Sequence, residues 1–237
     1  MTDLHTHILP EMDDGAKSVE MSLEMLRQER AQGIDTVVLT PHFYRDRERP
    51  SHFIDRRKKA ARKLAQALID MPEDQRELYP RLCLGAEVAW VPNLSEWDEL
   101  PQLCLGRSRH ILIEPPFTPW NDYMIRQLYD LPGRTGITPV IAHLERYYGI
   151  QRKEMIDEII ATGLPVQMSA DALLHPLRRG RALNLLKTGC VHVVASDCHD
   201  LDNRQVNLAA AMRVVEKKLG ADVRNRLERQ ADYLIDE

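Results

Sequence analysis

Seven short apolar runs, near residues 2–8, 36–41, 81–89, 110–115, 137–142, 164–169 and 191–196, alternate with longer amphipathic stretches. The amphipathic stretches lie near 18–32, 52–70, 121–131, 151–162 and 178–188, with two more after 203 and 222. Strand and helix in that alternation predict a parallel α/β architecture. The tighter constraint sits at the ends of the runs. Asp3-Leu4-His5-Thr6-His7 is followed by Asp13-Asp14-Gly15, and then come Thr40-Pro41-His42, Gly85-Ala86-Glu87, Leu112-Ile113-Glu114, Ala142-His143 and Ser196-Asp197-Cys198-His199. A doubly wound open sheet would gather its ligands at one switch point in the strand order. Polar residues closing nearly every strand fit a closed barrel instead, with the site on the C-terminal face of its strands.

Local signals agree with the alternation. Met21, Met25 and Leu26, and again Ile156, Ile159 and Ile160, recur at helical spacing. Gly33, Gly163 and Gly189 each follow an expected helix, where a left-handed cap favours glycine. Residues 43–51, with Arg45, Arg47, Arg49 and Pro50, form the most irregular segment and read either as a substrate-facing loop or as a solvated charged one.

At 237 residues the chain has the length of one large α/β domain, expected to span 1–237. A formal net charge of −4 gives no general attraction to nucleic acid or anionic membrane. No apolar run approaches the ~20 residues that cross a bilayer, and the opening residues lack a basic segment followed by an apolar one, so neither membrane insertion nor a signal peptide is expected. Cys83, Cys104, Cys190 and Cys198 show no C-x-x-C spacing, and most lie in or near apolar runs. They read as free thiols in a reducing cytoplasm.

His5 and His7 are two apart on a strand, so their rings share a face, and Asp197 and His199 repeat that spacing. Glu87 and Glu114 end mostly apolar strands, where a carboxylate is costly unless paired or bound to a cation. Each residue taken singly has a structural alternative; together they describe a metal-binding rim. Imidazoles and carboxylates without an obvious thiolate suit manganese, iron or zinc. Five histidines and four carboxylates exceed what one ion needs and would serve two or three. Four carboxylates against three divalent cations leave two positive charges, matched to a phosphate monoester dianion, and close cations would acidify a bound water. Spacing does not separate Asp13 from Asp14 as the fourth carboxylate.

His5-Thr6-His7, Asp13-Asp14-Gly15-Ala16-Lys17, Thr40-Pro41-His42, Gly85-Ala86-Glu87, His143-Leu144-Glu145-Arg146-Tyr147 and Ala195-Ser196-Asp197-x-His199 resemble the polymerase and histidinol phosphatase (PHP) family. More narrowly they resemble its bacterial protein-tyrosine phosphatase branch, associated with capsular and exopolysaccharide synthesis. The likeness runs to about residue 215. It implies a distorted (β/α)7 TIM-like barrel of PHP type holding three divalent ions, manganese first, with iron, magnesium or zinc as alternatives. Position by position it implies metal binding by His5, His7, Asp14, His42, Glu87, Glu114, His143, Asp197 and His199. It implies phosphate binding by Arg146 and Arg204, a role that suits the planar guanidinium fork. The implied substrate is a phosphotyrosine protein, a bacterial tyrosine kinase of polysaccharide export; a small phosphate monoester such as histidinol phosphate or a nucleotide is the alternative. Two positions depart from the pattern: Met12 stands where isoleucine is common, and Pro115-Pro116-Phe117 follow Glu114.

Cys198 and Arg204 also form C-x5-R, the spacing of cysteine-dependent tyrosine phosphatases. The five intervening residues carry two acids and no glycine, which would repel phosphate and disfavour the thiolate. Trp120 and Tyr123 could stack on a phosphotyrosine ring or simply pack in the core. His110 and His192 fall at strand starts, the stability end of a barrel.

Overall fold

The structure is a computed structural model describing residues 1–236. Its strands are β1 (Thr2–Thr6), β2 (Thr36–Leu39), β3 (His42–Phe43), β4 (Arg81–Leu84), β5 (Glu87–Ala89), β6 (His110–Glu114), β7 (Thr138–Ile141), β8 (Gln167–Ser169) and β9 (Val193–Ala195). They run β1-β2-β4, β3-β5-β6-β7 and β8-β9, every pair parallel. Chain continuity carries β2 into β3 past Thr40-Pro41 and β4 into β5 past Gly85-Ala86, so the segments make seven staves. Bridges Ile141–Val166 and Thr6–Cys198 join the remaining edges and close the ring. This is the parallel α/β architecture that the alternation of runs predicted, closed into the distorted (β/α)7 barrel that the family resemblance implied.

The helices are α1 (Val19–Ala31), α2 (Pro50–Ile69), α3 (Glu73–Arg76), α4 (Asp122–Thr135), α5 (Lys153–Ala161), α6 (Asp171–Leu174), α7 (Arg179–Lys187), α8 (Leu208–Leu219) and α9 (Ala221–Asp236). Ser18 and Asn121 cap α1 and α4 by accepting the amides of Met21 and Met124. The single-turn α3 and α6 have too few residues to show a period. Helix α4 runs past the expected end near 131 and through Pro132, stopping where Gly136, at φ 67°, donates to the Pro132 carbonyl at 2.8 Å.

Two apolar clusters hold the barrel. The outer one packs helix residues such as Met25, Leu26, Ile156 and Ile159 against Val37, Leu39, Ile111, Ile113 and Ile141. The inner one joins Leu4, Val38, Leu112, Val140 and Val193, from five different strands, with Ala231, Leu234 and Ile235 of α9. The last turns of α9 thus floor the barrel at the end opposite the ligand-bearing tips. Thr2 donates to Asp232 at 2.6 Å, Ser108 to the Leu234 carbonyl at 2.8 Å, and the Arg107 amide to the Ile235 carbonyl at 2.9 Å.

Strand β1 carries one irregularity that matters for the site. Asp3 pairs with Val37 and Thr6 with Leu39, so Leu4 and His5 together oppose one residue of β2. In a regular strand, neighbours point to opposite faces. The bulge lets Leu4 join the inner core while His5, next to it, reaches the rim.

Arg57 on α2 ties a helix to the junction that delivers Glu87. It is 4% exposed and donates to the carbonyls of Gly85 and, at 2.6 Å, Gln102. Burial lowers its pKa to about 10. Arg57→Met is expected to cost about 1–3 kcal/mol, because it strands the buried Gly85 carbonyl and removes the bond to the part-buried Gln102 carbonyl. Urea unfolding followed by circular dichroism measures this, and a midpoint equal to that of the unsubstituted protein would exclude the role.

Candidate metal centre

The strand tips bring all nine expected ligands to one rim. The ligand atoms of His7, Asp14, His42 and His199 lie within 4.8 Å of one another, as do those of His5, His7 and Glu87, and those of His42, Glu87 and Glu114. Each pair of groups shares one residue: His7, His42 or Glu87. His143 and Asp197 stand at the edges. His143 Nε2 is 2.8 Å from Glu87 and 3.5 Å from Glu114, and Asp197 Oδ1 is 3.5 Å from the Nε2 atoms of both His5 and His7.

Backbone geometry turns two of these side chains inward. His143 and Asp197, each just past a strand end, have φ of 32° and 56°, in the left-handed region that residues with a Cβ rarely occupy. Strain of this kind persists where the surroundings impose it.

Partners outside the group orient the rings. Asp13 lies 2.7 Å from His7 Nδ1 and accepts the amides of His42 at 2.8 Å and Gly15 at 2.9 Å. Burial would raise the Asp13 pKa, but His7 and the two amides hold its carboxyl well below the usual range. Asp14 is the residue that faces His42 and His199, at 3.6 and 3.5 Å. Spacing alone left the two aspartates equivalent; the structure separates them into one placed behind the His7 ring and one that stands among the expected ligand residues. Gly15 completes the turn because a Cβ there would lie 2.0 Å from the His7 carbonyl oxygen. Gln167 Oε1 accepts the His143 amide at 2.7 Å and sits 3.3 Å from His5 Nδ1, leaving His5 Nε2 directed at the cluster. Spacing had left Asp13 as an alternative to Asp14, without showing this supporting position, and Gln167 was not among the expected site residues. A glutamine inside an apolar run carries no ligand signature of its own.

The donor chemistry fits cations. Glu87 is 1% exposed. Its Oε2 lies 2.8 Å from His42 Nδ1 and 3.2 Å from the Nε2 atoms of His5 and His7, yet has hydrogen-bond geometry to none. His199 Nε2 is likewise buried without a hydrogen-bond partner. Such atoms are costly unless an ion completes them. The field favours positive charge as well. Burial opposes charging His7 and His143, but Asp13 and Glu87 raise the first to about 10, and Glu114 and Glu87 raise the second to about 9. Burial, seconded by His7, takes His199 down to about 3.

Both expected phosphate-binding arginines reach Asp197. Arg146 donates to Asp197 Oδ2, Arg204 forms an ion pair with the same oxygen at 2.8 Å, and Arg146 also reaches Ser169 Oγ at 3.3 Å. They line a cleft of about 330 Å³ with Asp197, Ser169 and Asn203. On the other side of the cluster, Asp14 and His42 open on a second cleft of about 410 Å³ beside Met12, Tyr44 and Arg47. Trp120 belongs to the core, its Nε1 donating to the Pro116 carbonyl at 2.9 Å. Tyr123 is exposed and bonded to Gln127 and Asn93, and neither aromatic lines either cleft. The Pro115-Pro116-Phe117 segment is pinned from below, since the Tyr147 hydroxyl donates to the Pro115 carbonyl at 2.5 Å.

The cysteine arrangement does not form a phosphate loop. Cys198 is fully buried, its Sγ 3.7 Å from Glu29, and burial followed by Glu29 and Asp3 pushes its thiol well up.

The sequence model of the family described as "Capsular polysaccharide synthesis, CpsB/CapC" matches residues 1–235. The chain is 33% identical to tyrosine-protein phosphatase CpsB of Streptococcus pneumoniae, over 93% of this chain and 92% of that one. It is 31% identical to tyrosine-protein phosphatase YwqE of Bacillus subtilis, over 99% and 91%. Among solved structures, one reported for the pair YwqE and CpsB, described as metal-dependent tyrosine phosphatases, superposes with a TM-score of 0.84 at 29% identity, covering 99% of this chain and 94% of the other. The lactonase Lmo2620 of Listeria monocytogenes, at 11% identity and TM-score 0.56, shares the fold over 100% of this chain and 94% of its own.

Asp13→Asn is expected to weaken divalent-metal binding about 10- to 100-fold, because the ring of His7 loses the partner that orients it. Metal titration by calorimetry reads this directly. Affinity unchanged by the substitution would mean that His7 needs no such support.

Proposed function

The chain belongs to the CpsB/CapC family of capsular polysaccharide synthesis, and from that premise we propose that it is a metal-dependent protein-tyrosine phosphatase. The observation that carries the reading is the meeting, at Asp197, of a nine-residue imidazole–carboxylate cluster with two guanidinium groups that each keep further N–H donors. The proposed ligands are His5, His7, Asp14, His42, Glu87, Glu114, His143, Asp197 and His199, in one PHP-type domain over 1–237. Three overlapping groups support three ions. Manganese is the ion proposed, since the donors are nitrogen and oxygen without thiolate; iron, magnesium and zinc share much of that preference.

When bound, closely spaced divalent ions would supply a water of lowered pKa and draw charge from the phosphoryl oxygens. The protein's own contribution is placement. Arg146 and Arg204 take the phosphoryl oxygens in planar forks and oppose the charge that gathers there in the transition state. Ser169 steadies Arg146, and Asp197 holds both guanidiniums on the side of the cluster facing the cleft.

The substrate we infer is a phosphotyrosine protein of the polysaccharide machinery, with a bacterial tyrosine kinase as the natural candidate given the family's role in capsule synthesis. A cytoplasmic setting is consistent with four free cysteines, and among the described residues no helix is long and apolar enough to cross a membrane.

Chelation is expected to abolish hydrolysis of p-nitrophenyl phosphate and of a phosphotyrosine peptide, and manganese to restore it. Arg146→Ala and Arg204→Ala should each lower kcat about 100-fold or more, the cost of removing one transition-state donor. Metal-loaded protein inert toward both substrates, or faster on histidinol phosphate or nucleotides than on the peptide, would refute the assignment. Cys198→Ala should hydrolyse both substrates at an unaltered rate, since the thiol is buried and faces Glu29; loss of turnover with the fold and metal content intact would revive a cysteine nucleophile.

A further inference from the structure

The cluster separates two clefts of different character. The one lined by Arg146 and Arg204 is mainly polar, whereas the one lined by Met12, Tyr44 and Arg47 is mainly apolar. His199 reaches toward both, with Nδ1 3.6 Å from Asp197 on the arginine side and Nε2 3.5 Å from Asp14 on the other. Two sites one imidazole apart match a molecule that is a dianion at one end and an aromatic ring at the other.

The sequence around Tyr44 builds the apolar wall. Phe43 is buried and packs on Phe53 at 4.8 Å between ring centres, which fixes the strand. Residues two apart share a face, so Tyr44 rises beside His42, their rings 5.3 Å apart. The loop that follows is held by Glu48, which accepts from Arg56 at 2.6 Å and lies 2.7 Å from His52. It returns Arg47 over the Tyr44 ring, 4.2 Å from its centre. The charged segment 43–51 is therefore an ordered wall facing the ligand cluster.

We propose that Tyr44, steadied by Arg47 in the cleft that Met12 also lines, forms the subsite for the phenyl ring of the aryl phosphate, and so sets the preference for aryl over alkyl esters. This rests on the phosphatase reading and adds to it the residue that recognises the leaving group.

The test is calorimetric binding of inorganic phosphate and of phenylphosphonate to the metal-loaded protein, with hydrolysis of a phosphotyrosine peptide measured alongside. Phenylphosphonate should bind about 3- to 10-fold tighter than phosphate, the range of one aromatic contact. Tyr44→Ala should bring that ratio close to one, Tyr44→Phe should keep it, and Arg47→Ala, at an exposed position, should at least halve it. Equal binding of the two ligands by the unsubstituted protein overturns the subsite. So does a ratio that survives Tyr44→Ala, or an equal loss for both ligands. If Tyr44→Ala does not fold, an unchanged ratio in Arg47→Ala overturns it instead. Peptide hydrolysis with a ratio indifferent to Tyr44 sinks the subsite and spares the phosphatase; a Tyr44-dependent ratio without hydrolysis does the reverse.

Discussion

The rim of this barrel is organised around a dry carboxylate. Glu87 is buried among His5, His7, His42 and His143. Burial alone would drive it to its neutral form, and the imidazoles beside it, His5 and His42 foremost, hold it well below the ordinary carboxylate range. A group in that position stabilises nothing by itself, because stripping a charge of water costs more than most pairings return. It persists as the common member of two of the three ligand groups. The bulge in β1, the left-handed turns at His143 and Asp197, and the supports from Asp13 and Gln167 all serve to keep neighbouring donors aimed at it.

Much of this was legible in the sequence because the period of a strand and the position of a ligand reinforce each other. Seven apolar runs, six of them closed by His, Asp or Glu, located the staves, and the i, i+2 pairs His5/His7 and Asp197/His199 do converge. What escaped was whatever depends on a single residue's surroundings. The β1 bulge changes the facing of Leu4 without leaving a mark in composition. Asp13 and Asp14 are chemically identical, and only the path of the turn gives one of them the back of His7. Trp120 and Tyr123 carry the right rings for stacking but sit in the core and on a far surface, while Tyr44, inside a run that reads as a charged loop, reaches the rim. The resemblance to the capsular branch of the PHP family supplied what spacing could not: the expectation of Asp14 over Asp13, of Arg146 and Arg204, and of phosphotyrosine among phosphate esters.

Asp197 links the two halves of the chemistry. One oxygen looks toward His5 and His7, the other toward Arg146 and Arg204. Moving that side chain would disturb the imidazole cluster and the two arginines together, which makes its left-handed backbone a shared constraint. Its own charge is set by the same neighbours: burial opposes ionisation, while His5 and Arg146 overcome it and keep the carboxylate ionised.

The floor of the barrel has a temporal meaning. Leu4 of β1 and Leu234 and Ile235 of α9 belong to one inner cluster, so elements about 230 residues apart complete each other. On the ribosome, strands β1 to β9 can be synthesised and still lack their floor until the closing turns of α9 emerge. Until then, the apolar residues meant for the interior have nothing to cover them, which is when chains of this length are most exposed to aggregation and chaperone capture. The rim, built on the tips of those same strands, becomes a finished site only once α9 is in place.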